Sequence, residues 1–233
     1  MHARGKLIVL EGIDGSGKRT QIDALAREFG RRGTPFAQIS FPNYSGFHGT
    51  LVARFLNGDF GSLSAVDPHF SALLYAGDRL ESKPEIESAL AAGKIVLADR
   101  YVASNLAHQG ARVTDEKRGN FLAWLKQLEY AVHALPLEDL VIYLRLPVAE
   151  AHNLVGQKAV RAYTKARRDL QESDLAHLAA ASRVYDELAR QPNWLTIECF
   201  DAAAGALRPP AEIHIEILAA VEAHIHSALG AKG

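Results

Sequence analysis

A glycine-rich segment near the start of the chain carries the residue types that bind a nucleotide phosphate. It follows an apolar, strand-like run and opens a helix-like one. Glycines let successive backbone N–H groups turn toward phosphate oxygens, the helix N-terminus adds the positive end of its dipole, and a lysine adds a point charge. A glycine-rich turn without a ligand is the alternative, but spacing and context predict a phosphate-binding loop (P-loop) for a nucleotide. Its residues are Gly12, Ile13, Asp14, Gly15, Ser16, Gly17, Lys18, Arg19 and Thr20.

One position of this loop departs from the usual pattern. A Ser or Thr normally follows the lysine and ligates Mg²⁺ through its hydroxyl, whereas this chain has Arg19. Thr20 does not simply replace that hydroxyl, because one residue along a helix turns the side chain by about 100°. We therefore expect Mg²⁺ to be held by ATP oxygens, water and a carboxylate, with Asp99 as the candidate. Arg19 is expected to contact phosphate or a neighbouring acid.

A second group of polar residues stands at the carboxyl end of the third strand-like run. It begins with Asp99 and Arg100, and ligands bind beyond the carboxyl ends of strands in open α/β sheets. The pair puts an acid for metal or water beside a planar cation that can hold a phosphate in bidentate fashion. A structural ion pair is the alternative, but the P-loop favours a role in binding.

A basic cluster follows the fourth strand-like run. Lys158, Arg161, Lys165 and Arg168 fall within about 80° of arc if the stretch is helical, so they would form one cationic stripe. A solvated basic face is the alternative. Behind the fourth strand of a P-loop protein, the stripe predicts a mobile lid over residues 153–172 that closes over the transferred phosphate.

Short apolar runs alternate with helix-like segments from one end of the chain to the other. This alternation is typical of βαβ units and predicts an α/β fold with a parallel sheet, and continuous hydrophobicity within the runs indicates burial on both faces. One helix is predicted to stop around Ser82 and to restart at Pro84. No composition shift marks a boundary, so residues 1–233 are expected to form a single domain. The predicted strands are Lys6–Glu11, Pro35–Phe41, Lys94–Asp99, Leu140–Leu146 and Trp194–Phe200.

The composition argues against several classes of protein. Across 233 residues, 26 Lys+Arg against 27 Asp+Glu give a formal net charge of -1, which disfavours a general nucleic-acid or anionic-membrane binder. The first residues lack the apolar core of a signal peptide, and no apolar stretch approaches the ~18 residues of a membrane span. The single cysteine, Cys199, cannot form an internal disulfide. We expect a cytoplasmic protein.

Five motifs, in this order along the chain, resemble those of the thymidylate kinase family. They are the P-loop GIDGSGKRTQ, Phe41-Pro42, Leu74 to Arg79, DRYVASNLAHQG from Asp99, and the basic stripe followed by Asp-x-x-Glu-x-Asp. The similarity implies a three-layer P-loop kinase fold, with a five-stranded parallel sheet, helices on both faces and a lid, usually in a homodimer. It also implies transfer of the γ-phosphoryl group of ATP to dTMP with Mg²⁺, giving dTDP and ADP for dTTP synthesis.

The resemblance further implies roles for individual residues of the acceptor site. Asp14 would hold the sugar 3′-hydroxyl of dTMP and Arg100 would hold its phosphate. Tyr75 would stack on the thymine, Arg79 would hydrogen-bond the base, and Asn105 would read its N3/O4 edge. The other implied residues are Phe41, Gln109 beside the base, and Tyr101 near the deoxyribose, where it would disfavour a 2′-hydroxyl.

The catalytic arginine of the family stands either in the P-loop or in the lid. Gly15 occupies the loop position in this chain, so the resemblance favours the lid arrangement, with Arg161 or Arg168 as the contributor. Lys18 and Arg100 complete the implied catalytic set.

The chain also departs from the family pattern outside the catalytic arginine. Arg19 replaces the hydroxyl residue, and Asn43 and Tyr44 stand where many members carry an arginine that contacts the acceptor phosphate. Phosphate binding is then expected to depend more heavily on Arg100. Two alternatives remain: a kinase for another (deoxy)nucleoside monophosphate, and a nucleotide-binding protein whose turnover is weakened by Arg19.

Overall fold

A computed structural model of the chain describes residues 4–156, 171 and 174–230, with side chains described up to residue 225. Its centre is a five-stranded sheet made of β1 (Lys6–Glu11), β2 (Phe36–Ser40), β3 (Ile95–Asp99), β4 (Leu140–Arg145) and β5 (Trp194–Glu198). The strand order is β2-β3-β1-β4-β5, and every neighbouring pair is parallel. The predicted parallel α/β sheet is therefore confirmed. β1 has the predicted bounds, and the other four strands are one or two residues shorter than expected.

The fifth predicted strand ends earlier than the sequence indicates. Cys199 donates its N–H to the carbonyl oxygen of Arg145 at 2.8 Å, just beyond the last residue of β5. The chain then forms β6 (Phe200–Asp201), which pairs antiparallel with β7 (Ala206–Leu207). The apolar run that predicted a strand to Phe200 is thus divided between the sheet and a small hairpin.

Helices cover both faces of the sheet. In β1, Leu7, Ile8, Val9 and Leu10 are all 0% exposed, and successive strand residues point to opposite faces. The described helices are α1 (Lys18–Arg32), α2 (Phe47–Leu56), α3 (Pro68–Ala91), α4 (Val102–Gly110), α5 (Asp115–Lys126), α6 (Val148–Gly156), α7 (Leu175–Leu188) and α8 (Pro210–Gly230). Helix α1 packs against α8, whereas α4 packs against α3, α5 and α7, which completes the three-layer fold implied by the family resemblance.

The predicted break at Ser82 and Pro84 is wrong, because α3 continues through both residues. A proline inside a helix removes one backbone hydrogen bond and crowds the preceding turn, at a cost of about 3 kcal/mol. Pro84 lies on the exposed side of α3, while Ile86 and Leu90 beyond it are buried in the core. Burial of this last part of the helix outweighs the lost bond.

Helix α5 does not end in an ordinary cap but passes into a π-helical turn, Gln127–Val132. In such a turn the backbone bond spans five residues, so one residue more is accommodated than in an α-helical turn. Glu129, in the middle of this turn, is 0% exposed.

None of the helices in the described part of the chain has the length and apolar character of a membrane span.

Candidate active site

The carboxyl ends of β1, β2 and β3 border a cavity of about 340 Å³. Parallel strands bring these ends to one edge of the sheet, so the loops that follow them meet there. Side chains of α3 and α4 form the remaining walls. Of the residues singled out in the sequence, the cavity is lined by Asp14, Gly15, Gly17, Lys18, Arg19, Thr20, Phe41, Tyr75, Arg79, Asp99, Arg100, Asn105 and Gln109.

The glycines of the P-loop are required by its backbone path. Gly12 and Gly15 have φ angles of 142° and 91°, which residues with side chains rarely adopt. A Cβ atom would lie 2.6 Å from the carbonyl oxygen of Leu144 at Gly12, and 2.4 Å from that of Ala151, in α6, at Gly15. Position 15 therefore has no room for an arginine unless α6 moves.

Lys18 is folded into the loop that it follows. Its Nζ donates to the carbonyl oxygens of Gly12 and Ile13, both at 2.9 Å, and to Ser16 Oγ at 3.4 Å. Burial, followed by repulsion from Arg100, lowers the pKa of the Lys18 ammonium to about 8. Phosphate oxygens carry full negative charge and bind an ammonium more strongly than carbonyl oxygens do, so this environment favours a phosphate ligand.

Arg100 faces the P-loop across the cavity. Its guanidinium donates to Asp14 Oδ1 at 2.8 Å, to the carbonyl oxygen of Gly12 at 3.1 Å and to Ser104 Oγ at 3.0 Å. Burial opposes the charge, but the Asp14 carboxylate above all outweighs it and raises the pKa of Arg100 well above its ordinary value. Its backbone φ of 70° lies in the left-handed region. This conformation is strained for residues other than glycine.

Behind Arg100 lies a buried carboxylate, Glu11, at the end of β1. It accepts hydrogen bonds from the backbone N–H groups of Tyr101 at 2.8 Å and Ser104 at 3.1 Å, and so caps the first turn of α4. It also accepts from Ser104 Oγ at 2.6 Å and from the Tyr185 hydroxyl at 2.9 Å. Since Ser104 and Tyr185 both contact the guanidinium of Arg100, Glu11 fixes that arginine indirectly.

Arg79 and Asn105 form the inner wall of the cavity. Arg79 donates through Nε to Glu129 Oε2 at 3.0 Å and through Nη2 to Glu129 Oε1. Asn105 donates through Nδ2 to Glu129 Oε1 at 2.9 Å and to the carbonyl oxygen of Ala72 at 3.0 Å. The Oδ1 atom of Asn105 is buried without a hydrogen-bond partner among the described residues, and such an atom is costly unless a ligand completes its bonding.

In Gln109, one helical turn further along α4, the amide oxygen has hydrogen-bond partners and the amide nitrogen has none among the described residues. Its Oε1 accepts from Ser71 Oγ at 2.8 Å and from Arg112 Nη1 at 2.7 Å. Its Nε2 is buried, and no described residue accepts a hydrogen bond from it. Two residues that line the cavity thus carry buried atoms without a described partner, an acceptor on Asn105 and a donor on Gln109.

The loop after β2 brings Phe41 to the cavity, and a hydrogen bond to α3 holds this loop in place. Asp78 accepts the backbone N–H of Asn43 at 3.0 Å, and burial raises the pKa of Asp78 to about 6. Tyr44 also lines the cavity. Tyr75, on α3, lines the same space and stands 6.3 Å from the Phe55 ring in an edge-on contact.

Tyr101, which the family resemblance places near the deoxyribose, is not among the residues that line the cavity. The residue precedes α4 with backbone angles of φ −157° and ψ −139°, and its side chain lies in the core. It is 0% exposed, packs against Phe41, and donates its hydroxyl to the carbonyl oxygen of Pro136 at 3.2 Å. Ser104 and His108, one and two turns further along, line the cavity instead.

Arg19 points out of the P-loop. Its Nε donates to Asp23 Oδ2 at 3.0 Å, one turn along α1, and its side chain is 65% exposed. Of the two contacts expected for Arg19, this is the one with a neighbouring acid.

The residues near the loop offer few ligands for Mg²⁺. Among the described residues, no cluster of three or more His, Cys, Asp or Glu side chains is placed to hold a metal ion. Asp99 lines the cavity at the end of β3 and offers one carboxylate. Because Mg²⁺ is usually bound by one or two carboxylates together with water and substrate phosphates, this donor set fits the ion only when a nucleotide supplies the other oxygens.

A second cavity, of about 410 Å³, borders the other side of the P-loop. It shares Gly15, Gly17 and Thr20 with the first and is otherwise lined by residues that include Gln21, Leu154 and Cys199. The predicted lid residues Lys158, Arg161, Lys165 and Arg168 lie outside the described residues. The described residues thus form two cavities on either side of one phosphate-binding loop.

Sequence reasoning missed Glu11, Ser104, Glu129 and Tyr185. Glu11 left one signal, since it is the only charged residue between Leu7 and Gly12 and ends an apolar strand. Glu129 left none, because a π-helical turn does not follow the α-helical period by which buried positions are recognised.

Comparisons with known proteins agree with this geometry. The family model described as thymidylate kinase matches residues 10–203. The chain is 33% identical to the thymidylate kinase of Mycobacterium tuberculosis over 195 residues, which cover 82% of this chain and 90% of that protein. It is also 33% identical to the thymidylate kinase of Synechococcus sp. over 225 residues, or 92% and 94% of the two chains. The solved thymidylate kinase of Candida albicans superposes with a TM-score of 0.74 at 20% identity, over 96% and 93% of the chains, and shares the fold. The chain therefore belongs to the thymidylate kinase family.

Proposed function

We propose that this protein transfers the γ-phosphoryl group of ATP to dTMP, giving dTDP and ADP. The observation that carries the proposal is the inner wall of the first cavity, where Arg79 is a hydrogen-bond donor and Asn105 Oδ1 is an acceptor that no described residue satisfies. Thymine has the complementary edge, because its O4 accepts and its N3–H donates. A buried acceptor without a partner is explained if the base supplies the missing donor.

The rest of dTMP is accommodated by residues already described. Arg100 holds the 5′-phosphate, and Asp14, bonded to Arg100 at 2.8 Å, receives the sugar 3′-hydroxyl. Tyr75 stacks on the thymine ring, with Phe41 beside it, and Gln109 offers its unpaired Nε2 at the base.

ATP binds on the P-loop, residues 12–20, and its nucleoside extends into the second cavity. The backbone N–H groups and Lys18 hold the phosphates. Because both cavities share Gly15, Gly17 and Thr20, donor and acceptor phosphates meet at the loop from opposite sides, as an in-line transfer requires.

The reaction needs positioning and charge neutralisation more than proton transfer. The second pKa of a phosphate monoester is near ~6, so the dTMP oxygen that attacks is already an anion at neutral pH. Lys18 and Arg100 neutralise the phosphates, and closure of a lid over residues 153–172 brings Arg161 or Arg168 to the transferred group and excludes water. No general base is assigned.

Mg²⁺ is proposed as the metal that accompanies ATP. Asp99 would hold it, directly or through water, together with phosphate oxygens. When bound, the ion supplies neutralisation of the charge on the β- and γ-phosphates. Arg19 is bonded to Asp23 and takes no part in holding the ion.

A panel of acceptors tests the proposed reaction. We expect ADP release and nucleoside diphosphate formation with dTMP, measured against dUMP, dCMP, dGMP and AMP under the same conditions. Preference for another nucleoside monophosphate, or ATP binding without transfer to any acceptor, would contradict the proposal.

Substitution of the two proposed catalytic cations tests their assignment. Lys18→Ala and Arg100→Ala are each expected to lower kcat/KM by about 100-fold or more, because each removes a charge that faces the transferred phosphate. Activity within a few-fold of the wild type in either variant would refute the role of that residue, and circular dichroism provides the control for folding.

The wider setting is also proposed. A single kinase domain over residues 1–233 is expected to form a homodimer, and the apolar side chains of Phe70, Leu73 and Leu80, all at least 41% exposed on α3, support self-association. A cytoplasmic location is supported by the free thiol of Cys199. The formal net charge of -1 supports the absence of a nucleic-acid partner.

A further inference from the structure

A single buried carboxylate connects the two side chains that are proposed to read the base. Glu129 Oε1 accepts from both Arg79 Nη2 and Asn105 Nδ2, and Glu129 Oε2 accepts from Arg79 Nε. Arg79 and Asn105 line the cavity, whereas Glu129 does not line it and is 0% exposed. The carboxylate therefore lies behind the cavity wall, out of reach of a ligand, and acts on a ligand only through its two neighbours.

The chemistry of this carboxylate fixes the orientation of the Asn105 amide. An ionised carboxylate can only accept hydrogen bonds, and so can the carbonyl oxygen of Ala72. Both accept from Asn105 Nδ2, at 2.9 Å and 3.0 Å. An amide rotated by 180° would set Oδ1 against two acceptors, so Nδ2 stays on the side of Glu129 and Ala72 and Oδ1 remains the acceptor on the other side of the amide.

The same carboxylate fixes Arg79. It accepts hydrogen bonds from Nε and Nη2 of the guanidinium. Nη1 is the nitrogen that donates no hydrogen bond to Glu129. Burial disfavours the charged arginine, but attraction to Glu129 outweighs it and raises the pKa of Arg79. The cavity wall thus offers one donor group and one acceptor in a set order.

We propose that Glu129 is a positioning residue that sets the hydrogen-bond polarity of the acceptor-base site, and thereby selects a 4-oxo pyrimidine over a 4-amino pyrimidine. This inference rests on the proposed function. A 4-oxo base such as thymine presents O4 as acceptor and N3–H as donor, which match Arg79 and Asn105 Oδ1. A 4-amino base such as cytosine presents an amino donor and an N3 acceptor, so both contacts become repulsive. Sites built around buried hydrogen-bonding groups discriminate strongly against such mismatches.

The variant Glu129→Gln tests the proposal, with dTMP and 5-methyl-dCMP as the two acceptors. These nucleotides share the methyl group and differ in the polarity of the edge that the wall reads. The NH2 group of the glutamine takes the place of one of the two carboxylate oxygens. It therefore faces either Arg79 Nε, or Arg79 Nη2 and Asn105 Nδ2, and all of these groups are themselves donors. We expect kcat/KM for dTMP to fall about tenfold or more, chiefly through KM, and the ratio of kcat/KM for dTMP over 5-methyl-dCMP to fall by a similar factor.

The matched control is Glu138→Gln. Glu138 is a partly buried carboxylate that accepts from the Tyr130 hydroxyl at 2.9 Å, within reach of the same π-helical turn. It should leave the ratio within about twofold of the wild type. A ratio that is unchanged in Glu129→Gln while both rates fall, or one that falls equally in Glu138→Gln, would overturn the proposal and leave Glu129 a structural role only.

A measurement on the wild-type protein covers the case in which Glu129→Gln does not fold. With ¹⁵N-labelled asparagine, the Asn105 Nδ2 protons should exchange slowly with solvent both before and after dTMP binds, because Glu129 and Ala72 hold them. Rapid exchange that becomes slow only with dTMP would mean that Nδ2 faces the base, and would overturn the proposal. If wild-type protein instead fails to phosphorylate dTMP at all, the proposed function fails, which is a separate result.

Discussion

At the scale of single residues, Lys18 combines burial with a charge that phosphate transfer needs. Burial and the nearby Arg100 lower its pKa to about 8, whereas the pKa of Arg100 is raised. Of these two cations, Lys18 alone loses its proton in mildly alkaline solution. The loop therefore loses a positive charge, and with it affinity for ATP, as the pH rises through about 8.

We predict that the Kd for ATP, measured by calorimetry without dTMP, rises about tenfold between pH 7 and pH 9. At pH 9 a group with a pKa of about 8 is roughly nine-tenths deprotonated. Lys18→Arg provides the control, since its guanidinium stays charged and its weaker binding should not vary over this interval. A flat wild-type profile to pH 9.5 would contradict the lowered pKa.

The sequence predicts the residues in motifs better than the residues that hold them. Lys18, Arg79, Arg100 and Asn105 were singled out from motifs, and all of them line the cavity. Tyr101 does not, because the position of a side chain at a helix start depends on backbone angles that the motif does not specify. Glu129 could not be found at all, since its role depends on a contact with Arg79, fifty residues away in the chain.

At the scale of elements, the P-loop and α6 are fitted against each other at Gly15. Gly15 and Gly17 have nearly the same φ, 91° and 92°, so a substitution costs similar backbone strain at both. Only at Gly15 does a Cβ atom collide, 2.4 Å from the carbonyl oxygen of Ala151, whereas the space around Gly17 is open. Substitutions at Gly15 and Gly17 can therefore be compared to separate the effect of backbone strain from the effect of a steric clash.

We predict that Gly15→Ala lowers the unfolding temperature several degrees more than Gly17→Ala. Overpacking against backbone costs about 1–3 kcal/mol beyond the strain that both variants share. Thermal unfolding followed by circular dichroism, without ligands, measures the difference. Equal destabilisation by the two alanines would show that α6 gives way freely.

Helices α4 and α7 meet at a buried histidine pair. His108 Nδ1 and His177 Nε2 are 3.4 Å apart, a distance at which one neutral ring can donate to the other. Burial lowers the pKa of His177 to about 4 and that of His108 well below its ordinary value. Both rings are thus neutral in the folded protein, while the unfolded chain takes up protons near pH ~6.5.

We predict that the free energy of unfolding decreases as the pH falls from about 6.5 toward 4, because the unfolded state binds more protons there. For His177 the loss amounts to about 2 kcal/mol at pH 5. His177→Gln removes this titration, so the decrease between pH 7 and pH 5, measured by urea unfolding, should be smaller by that amount. His224→Gln, on α8 and outside this pair, is the control for replacing a histidine.

The prediction of elements failed where packing overrides local preference. Pro84 reads as a helix start, yet α3 runs through it because Ile86 and Leu90 are buried beyond it. The run from Trp194 to Phe200 reads as one strand, yet the partner strand β4 ends at Arg145 and the chain leaves the sheet there. In both cases the deciding contact is with a distant part of the chain.

At the scale of the whole molecule, the α/β class, the parallel sheet and all five strands could be predicted from the alternation of apolar runs. The order of the strands could not, because it depends on pairings such as Lys6 with Ile95 that no local pattern specifies. The two-cavity arrangement around the P-loop follows from that order, since β1 lies between β3 and β4.

The labelling rate of Cys199, the only cysteine of the chain, measures opening of the protein around the second cavity. Cys199 is 4% exposed, and burial raises the pKa of its thiol to about 12. We predict that a thiol reagent labels the native protein at pH 8 far more slowly than the protein in denaturant, where one equivalent reacts at once. Because Cys199 lines the second cavity, ATP should slow labelling more than dTMP does. Native labelling at the rate of a free thiol, or equal protection by both nucleotides, would contradict this.

The π-helical turn after α5 suggests how such a protein could change its preferred nucleotide over time. Loss of one codon at Gln127 or Leu128 would restore the regular helical repeat and rotate Glu129 by about 100° relative to α5. The wall of the cavity would keep every side chain that it has now and lose only the group that orients them. Insertions and deletions in a helix remote from the ligand are thus a route to new substrates that comparison of the cavity residues alone would not reveal.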